Sequence, residues 1–102
     1  MGNKKVEIKV KANSKESIFI CGNIKSLGEW DVSKAQEMKK DIDGFFKITK
    51  MLPEKQIIEF KFLRKKDWAY VEKGAYDEEI RNHLLILPTD EEIIYEVEKF
   101  NK

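Results

Sequence analysis

The feature that most constrains this chain is a two-residue alternation of apolar and charged side chains, broken by turn residues roughly every eight to twelve positions. Val6, Ile8 and Val10 alternate with Lys5, Glu7, Lys9 and Lys11. Successive side chains of a strand point to opposite faces, so this run reads as a first strand that is half buried and half wet. Ser17-Ile18-Phe19-Ile20-Cys21 is a continuous β-prone run, ended by Gly22-Asn23. Residues 45–52 read as a strand closed by Pro53, and residues 56–63 as another, with Ile58, Phe60 and Phe62 on one face. Residues 68–73, the apolar run 84–87 before Pro88, and residues 93–100 complete the series. About eight short strands follow, with no long helical pattern competing for the core. That layout implies an all-β sandwich or barrel. Residues 23–41 read as irregular, with one helical turn over 31–35 capped by Asp31. Residues 75–81 are expected to form a loop or short helix.

A length of 102 residues implies one domain, residues 1–102, with enough chain for a single core. Lys and Arg number 20 against 19 Asp and Glu, a net charge of +1. Such balance offers no global field for nucleic acid or an anionic membrane, and neither is expected as a partner. Lys61, Arg64, Lys65 and Lys66 with Trp68 form a local basic and aromatic cluster, which reads as a solvated hairpin tip rather than a nucleic-acid site. The one cysteine, Cys21, lies in an apolar run and reads as a buried small hydrophobe. With no signal peptide and no apolar stretch of membrane-spanning length, a cytoplasmic setting is expected.

The inventory for catalysis is thin. One histidine, His83, and one cysteine make no zinc set. The glycines are scattered singly, so no phosphate-cradling loop is present. Carboxylates fall on the solvent faces of strands rather than as a visible acid and base pair. The expectation is a non-enzyme without a cofactor.

Two tryptophans do not follow the core pattern. Trp30 sits in Ser26-Leu27-Gly28-Glu29-Trp30-Asp31, flanked by charge, and Trp68 follows the basic tip with Tyr70 two positions on. Read as strand residues, 68 and 70 share a face. An indole in a charged loop is either a ligand face or a lid over the end of the sandwich. As a ligand face it suits sugars, whose rings present C–H groups to a broad, rigid apolar surface. Lys61, Glu72 and Asn82 are polar residues suited to hydrogen-bonding hydroxyls.

The stretch Ile18-Phe19-Ile20-Cys21-Gly22-Asn23-Ile24-Lys25-Ser26-Leu27-Gly28-Glu29-Trp30-Asp31-Val32-Ser33-Lys34-Ala35 resembles the signature of the starch-binding domains of carbohydrate-binding module family 20. Gly44-Phe45-Phe46, Leu52-Pro53, Ile58-Glu59-Phe60-Lys61-Phe62, Val71-Glu72-Lys73-Gly74 and the Asn82 to Pro88 segment are similar to later family motifs, in the same order. The resemblance implies an immunoglobulin-like sandwich of seven or eight strands. It also implies a non-catalytic module that binds α-glucan (starch, glycogen or a cyclodextrin) and is expected as a monomer. It places the first platform on Trp30, the site lysine on Lys61, the asparagine on Asn82 and the acid on Glu72. The family's second tryptophan falls on Val71, so Trp68 or Tyr70 takes its place. The rest of the pattern implies an insertion over 75–81, from which Tyr76 can reach the site. Asn13-Ser14-Lys15 and Lys39-Lys40-Asp41 hold no aromatic where a second sugar site would need one, so a single site is expected. Phe46 stands where the family has a tryptophan and reads as core. The alternative is an intracellular protein-interaction domain on the same scaffold with a degraded sugar site, a reading prompted by Val71.

Overall fold

The computed structural model describes residues 2–102 and is all β. The described residues form nine strands: β1 (Asn3–Lys11), β2 (Ile18–Gly22), β3 (Gln36–Lys40), β4 (Phe46–Pro53), β5 (Ile58–Leu63), β6 (Glu72–Lys73), β7 (His83–Leu85), β8 (Ile94–Glu96) and β9 (Lys99–Phe100). Two single 3-10 turns lie between β2 and β3 and one between β5 and β6. Seven of them follow one another edge to edge in the order β7-β5-β2-β3-β4-β1-β8, while β6 and β9 form a separate two-stranded ribbon. All pairings are antiparallel except that of β1 with β8.

β3 is where the sheet turns over into a second layer. Ile18 pairs with Met38 on one side, whereas Lys39 and Lys40 pair with Lys47 and Phe46 on the other. The two halves therefore curl into a sandwich with the core between them. Ile8, Val10, Phe46 and Leu52 come from the β1–β4 side, and Ile18, Ile20, Ile58, Phe60 and Phe62 from the β2–β5 side, all fully buried. Each such side chain stabilises the fold by about 1.5–3 kcal/mol relative to exposure. Phe46 is core, as its position in the alternation requires. Cys21 joins a smaller cluster with Ala35 and Leu63, covered by Phe19, Val32 and Val71. Burial there pushes its thiol up from the ordinary range, with the nearby Asp31 charge adding to the effect.

Four sequence expectations change. β3 emerges from a stretch read as irregular, because only Met38 of its five residues is buried and one apolar position makes no period. Residues 68–73 are not one strand: Trp68–Tyr70 is a 3-10 turn and only Glu72–Lys73 is extended. The strand read over 84–87 is instead His83–Leu85. β7 stops at Leu85, and Leu84 and Ile86 are more than half exposed while Leu85 and Leu87 are buried. The last strand is two, β8 and β9, parted around buried Val97, whose N–H bonds to the Lys11 carbonyl at 2.9 Å. The helical turn expected after Asp31 is present over Val32–Lys34, with the Asp31 side chain accepting from the Ser33 N–H. Residues 75–81 form a loop.

Candidate functional site

Trp30 is presented by a backbone bent against its preference. Gly28, Glu29 and Trp30 all have positive φ, at 90°, 51° and 64°. Such angles suit glycine and are rare for a bulky side chain. The bend is held from both sides. Leu27 is fully buried as an anchor, the Glu29 N–H bonds to the Ile24 carbonyl at 3.1 Å, and the Trp30 N–H to the Gly22 carbonyl at 2.9 Å. Gly28 is required twice over, because a Cβ there would sit 2.9 Å from the Lys34 carbonyl oxygen. Strain of this kind, about 1–3 kcal/mol per residue, persists where surrounding structure imposes it and clusters at functional sites.

Trp68 comes from the opposite side on its own short turn. Asp67 caps it by accepting from the Ala69 N–H at 2.9 Å, and Asn101 Nδ2 donates to the Ala69 carbonyl at 3.0 Å. The two indoles meet with ring centres 6.1 Å apart and planes tilted by 43°. Trp30 is half-buried and packs on Trp68 rather than lying over the apolar core as a lid. Trp68 remains 38% exposed.

An open cleft of about 410 Å³ lies against this pair, bordered by Trp30, Lys61, Trp68, Val71, Glu79 and Asn82. Sheet register explains the polar members. Glu59 and Lys61 share the outer face of β5, since Ile58, Phe60 and Phe62 point inward. Pairing of Phe60 with His83 brings Asn82 to the level of Lys61. Lys61 Nζ donates to the Ile80 carbonyl at 2.7 Å, and Asn82 Nδ2 to Glu59 Oε1 at 3.2 Å. Both side chains are thereby steadied and keep further hydrogen-bonding capacity.

Two residues singled out in the sequence lie elsewhere. Tyr70 does not share a face with Trp68, because a 3-10 turn rotates successive residues by about 120° instead of 180°. Its ring centre lies 5.4 Å from the Arg64 guanidinium and 5.1 Å from the Lys65 ammonium. Glu72 is 1% exposed. Its carboxylate accepts from the Phe62 N–H at 2.7 Å and from His83 Nε2 at 2.9 Å, so it faces inward, behind Val71. Tyr76 is 90% exposed on the loop and does not border the cleft. Glu79, by contrast, borders the cleft without any sequence signal, since its place depends on the path of an irregular loop.

A larger hollow of about 510 Å³ is bordered by Ser14, Arg64, Lys99 and Phe100 among others. Its one aromatic, Phe100, is buried, so it offers no ring face. Among the described residues, no group of three or more His, Cys, Asp or Glu is arranged to hold a metal ion, and no helix is long and apolar enough to cross a membrane.

The starch binding domain family matches residues 4–95, which takes in every residue of the cleft. The chain belongs to the starch-binding domain family. That family is one of binding modules, not catalytic domains. Solved structures agree on the fold. The family 20 carbohydrate-binding module of the maltotetraose-forming amylase from Pseudomonas saccharophila STB07 is 18% identical, with a TM-score of 0.63 over 91% of this starch-binding domain and 99% of that chain. The family 15 glucoamylase from Hypocrea jecorina is 15% identical, with a TM-score of 0.77 over 97% of this chain and 18% of its own. The gamma-CGTase from alkalophilic Bacillus clarkii is 18% identical, with a TM-score of 0.71 over 95% of this chain and 15% of its own. This starch-binding domain thus spans less than a fifth of the length of those two enzymes. No curated protein matches it by sequence.

Proposed function

We propose that this starch-binding domain is a non-catalytic module that holds an α-1,4-glucan by stacking glucose rings on Trp30 and Trp68. Lys61 and Asn82 hydrogen-bond the hydroxyls. The observation that carries this reading is the tilted tryptophan pair bordering a cleft that Lys61 and Asn82 also border. A glucose ring offers C–H groups on its faces and hydroxyls around its rim, which matches aromatic faces flanked by donors. The 43° tilt suits a curved chain, in which successive rings turn relative to one another, better than a flat one. Starch, glycogen and the cyclodextrins share that curvature.

Val71 favours the alternative, an interaction domain with a lost sugar site. Trp68, on the same cleft as Val71, supports the glucan reading by offering a second aromatic face. Affinity is expected between about 1 μM and 1 mM, since two ring faces and a few solvated hydrogen bonds leave about 4–8 kcal/mol after ordering and desolvation. The domain acts as a monomer and tethers a glucan-active protein to its polymer.

A tryptophan fluorescence titration with β-cyclodextrin tests the reading. A saturable change in the parent that vanishes in Trp30→Ala is expected. No change up to about 5 mM ligand would overturn it.

A further inference from the structure

Glu79 stands at the cleft as its one carboxylate. The loop that carries it is held in place. Gly74 N–H bonds to the Glu78 carbonyl at 2.9 Å, Asp77 N–H to the Gly74 carbonyl at 3.0 Å, and Asp77 is ion-paired to Lys99 at 2.7 Å. Two lysines then pin successive residues. Lys73, from β6, reaches Glu79 Oε1 at 3.2 Å, and Lys61, from β5, reaches the Ile80 carbonyl at 2.7 Å. Lys73 is itself held, with only 14% of its side chain exposed, whereas the Glu79 side chain is 88% exposed. Its second oxygen, Oε2, takes no hydrogen bond among the described residues. One oxygen is thus paired at the surface and the other is open to accept, on a wall that also holds the cleft lysine.

We propose that Glu79 determines specificity in the glucan cleft, with Oε2 accepting a hydrogen bond from a hydroxyl of a bound glucose unit. This rests on the glucan reading of the site. Glu79 supplies the acidic contact that buried Glu72 is turned away from. A sugar lacking that hydroxyl, or carrying it as an ether, leaves the carboxylate oxygen without its donor and binds less well.

The test is calorimetric titration of the parent, Glu79→Ala, Glu79→Gln and Trp30→Ala with β-cyclodextrin, and of the parent and Glu79→Ala with singly deoxygenated methyl α-maltosides. Glu79→Ala is expected to bind β-cyclodextrin about 5- to 30-fold more weakly than the parent, and Glu79→Gln, which keeps an acceptor oxygen, less than about threefold more weakly. One deoxy analogue should lose affinity for the parent and lose nothing further for Glu79→Ala, which marks the hydroxyl contacted. An unchanged melting temperature confirms that the fold is intact. Glu79→Ala within about twofold of the parent, while Trp30→Ala abolishes binding, would overturn this inference and leave the glucan site standing. A loss that is the same for every deoxy analogue would overturn it too, by assigning Glu79 to loop support alone. If the parent binds none of these sugars, the glucan reading falls and this inference falls with it.

Discussion

His83 Nε2 lies 2.9 Å from both carboxylate oxygens of Glu72, in a place where Glu72 is 1% exposed. A carboxylate only accepts, so Nε2 is the donor, and the Phe62 N–H supplies a second donor at 2.7 Å. The imidazole in turn packs on Phe60, Phe62 and Tyr95, with ring centres 5.7, 5.0 and 5.0 Å away. Glu72 therefore ties β6 to β5 and β7 instead of facing solvent. Glu72→Ala leaves a buried N–H and an imidazole without their acceptor, and is expected to cost about 3 kcal/mol in urea unfolding. Glu72→Gln keeps one acceptor and should cost about 1–2 kcal/mol. A Glu72→Ala variant as stable as the parent would show that the pair does not hold these strands together.

The 3-10 turn sets Trp68 and Tyr70 on different sides and so separates their expected roles. Trp68 gives a partly exposed ring to the cleft, while Tyr70 is committed to Arg64 and Lys65. Trp68→Ala should weaken β-cyclodextrin binding by about 30-fold, the effect of losing an aromatic anchor worth about 2 kcal/mol. Tyr70→Ala should stay within about twofold of the parent. The reverse ranking in calorimetry would move the second ring face to Tyr70.

These two cases show what the sequence carried and where it stopped. Strands with several inward positions, such as β1 and β5, announce themselves through alternation. β3 does not, because Met38 is its one buried residue and its neighbours are exposed or half-exposed. Trp30, Lys61 and Asn82 were legible because they sit in motifs whose spacing is set by strands and a tight turn. The sequence puts Trp68 and Tyr70 level, since a strand there would place both on one face. Only Trp68 borders the cleft, because the Asp67 cap closes a 3-10 turn where a strand is expected. Glu79 was invisible, for a loop residue becomes part of a site only through the contacts that fix the loop.

Acid should loosen the β3–β4 hairpin. Lys47 Nζ lies 3.1 Å from Asp41 and 2.7 Å from Asp43. The Ile42 N–H and then Lys47 hold the Asp41 carboxyl below its ordinary range, and Lys47 and then the Phe45 N–H do so for Asp43. A carboxylate with a lowered folded value adds stability that is fully present above the unfolded value near pH 4, and lost as pH falls through the folded value. Lys47, whose own value is raised, stays charged throughout that window. The melting temperature should therefore decline below about pH 4, and the Asp41→Asn, Asp43→Asn double variant should decline less steeply. These groups are solvent-exposed, so added salt should shrink the difference. Parallel profiles for parent and double variant would remove the hairpin from the acid response.

The bend at Trp30 makes a prediction about stability that is separate from binding. With φ at 64°, Trp30→Ala keeps a side chain in a left-handed conformation that its Cβ disfavours, whereas Trp30→Gly does not. Both variants lose the indole, and both should lose glucan binding. The difference between them isolates the backbone, apart from the greater freedom of glycine in the unfolded chain, which acts in the opposite direction. At a left-handed position the first effect is the larger, so Trp30→Gly should be the more stable by about 1 kcal/mol in urea unfolding. The opposite order would mean that the loop abandons the left-handed conformation once the ring is gone. In that event the contact between Trp30 and Trp68, rather than the bonds from the Glu29 and Trp30 N–H groups, would be what holds the bend.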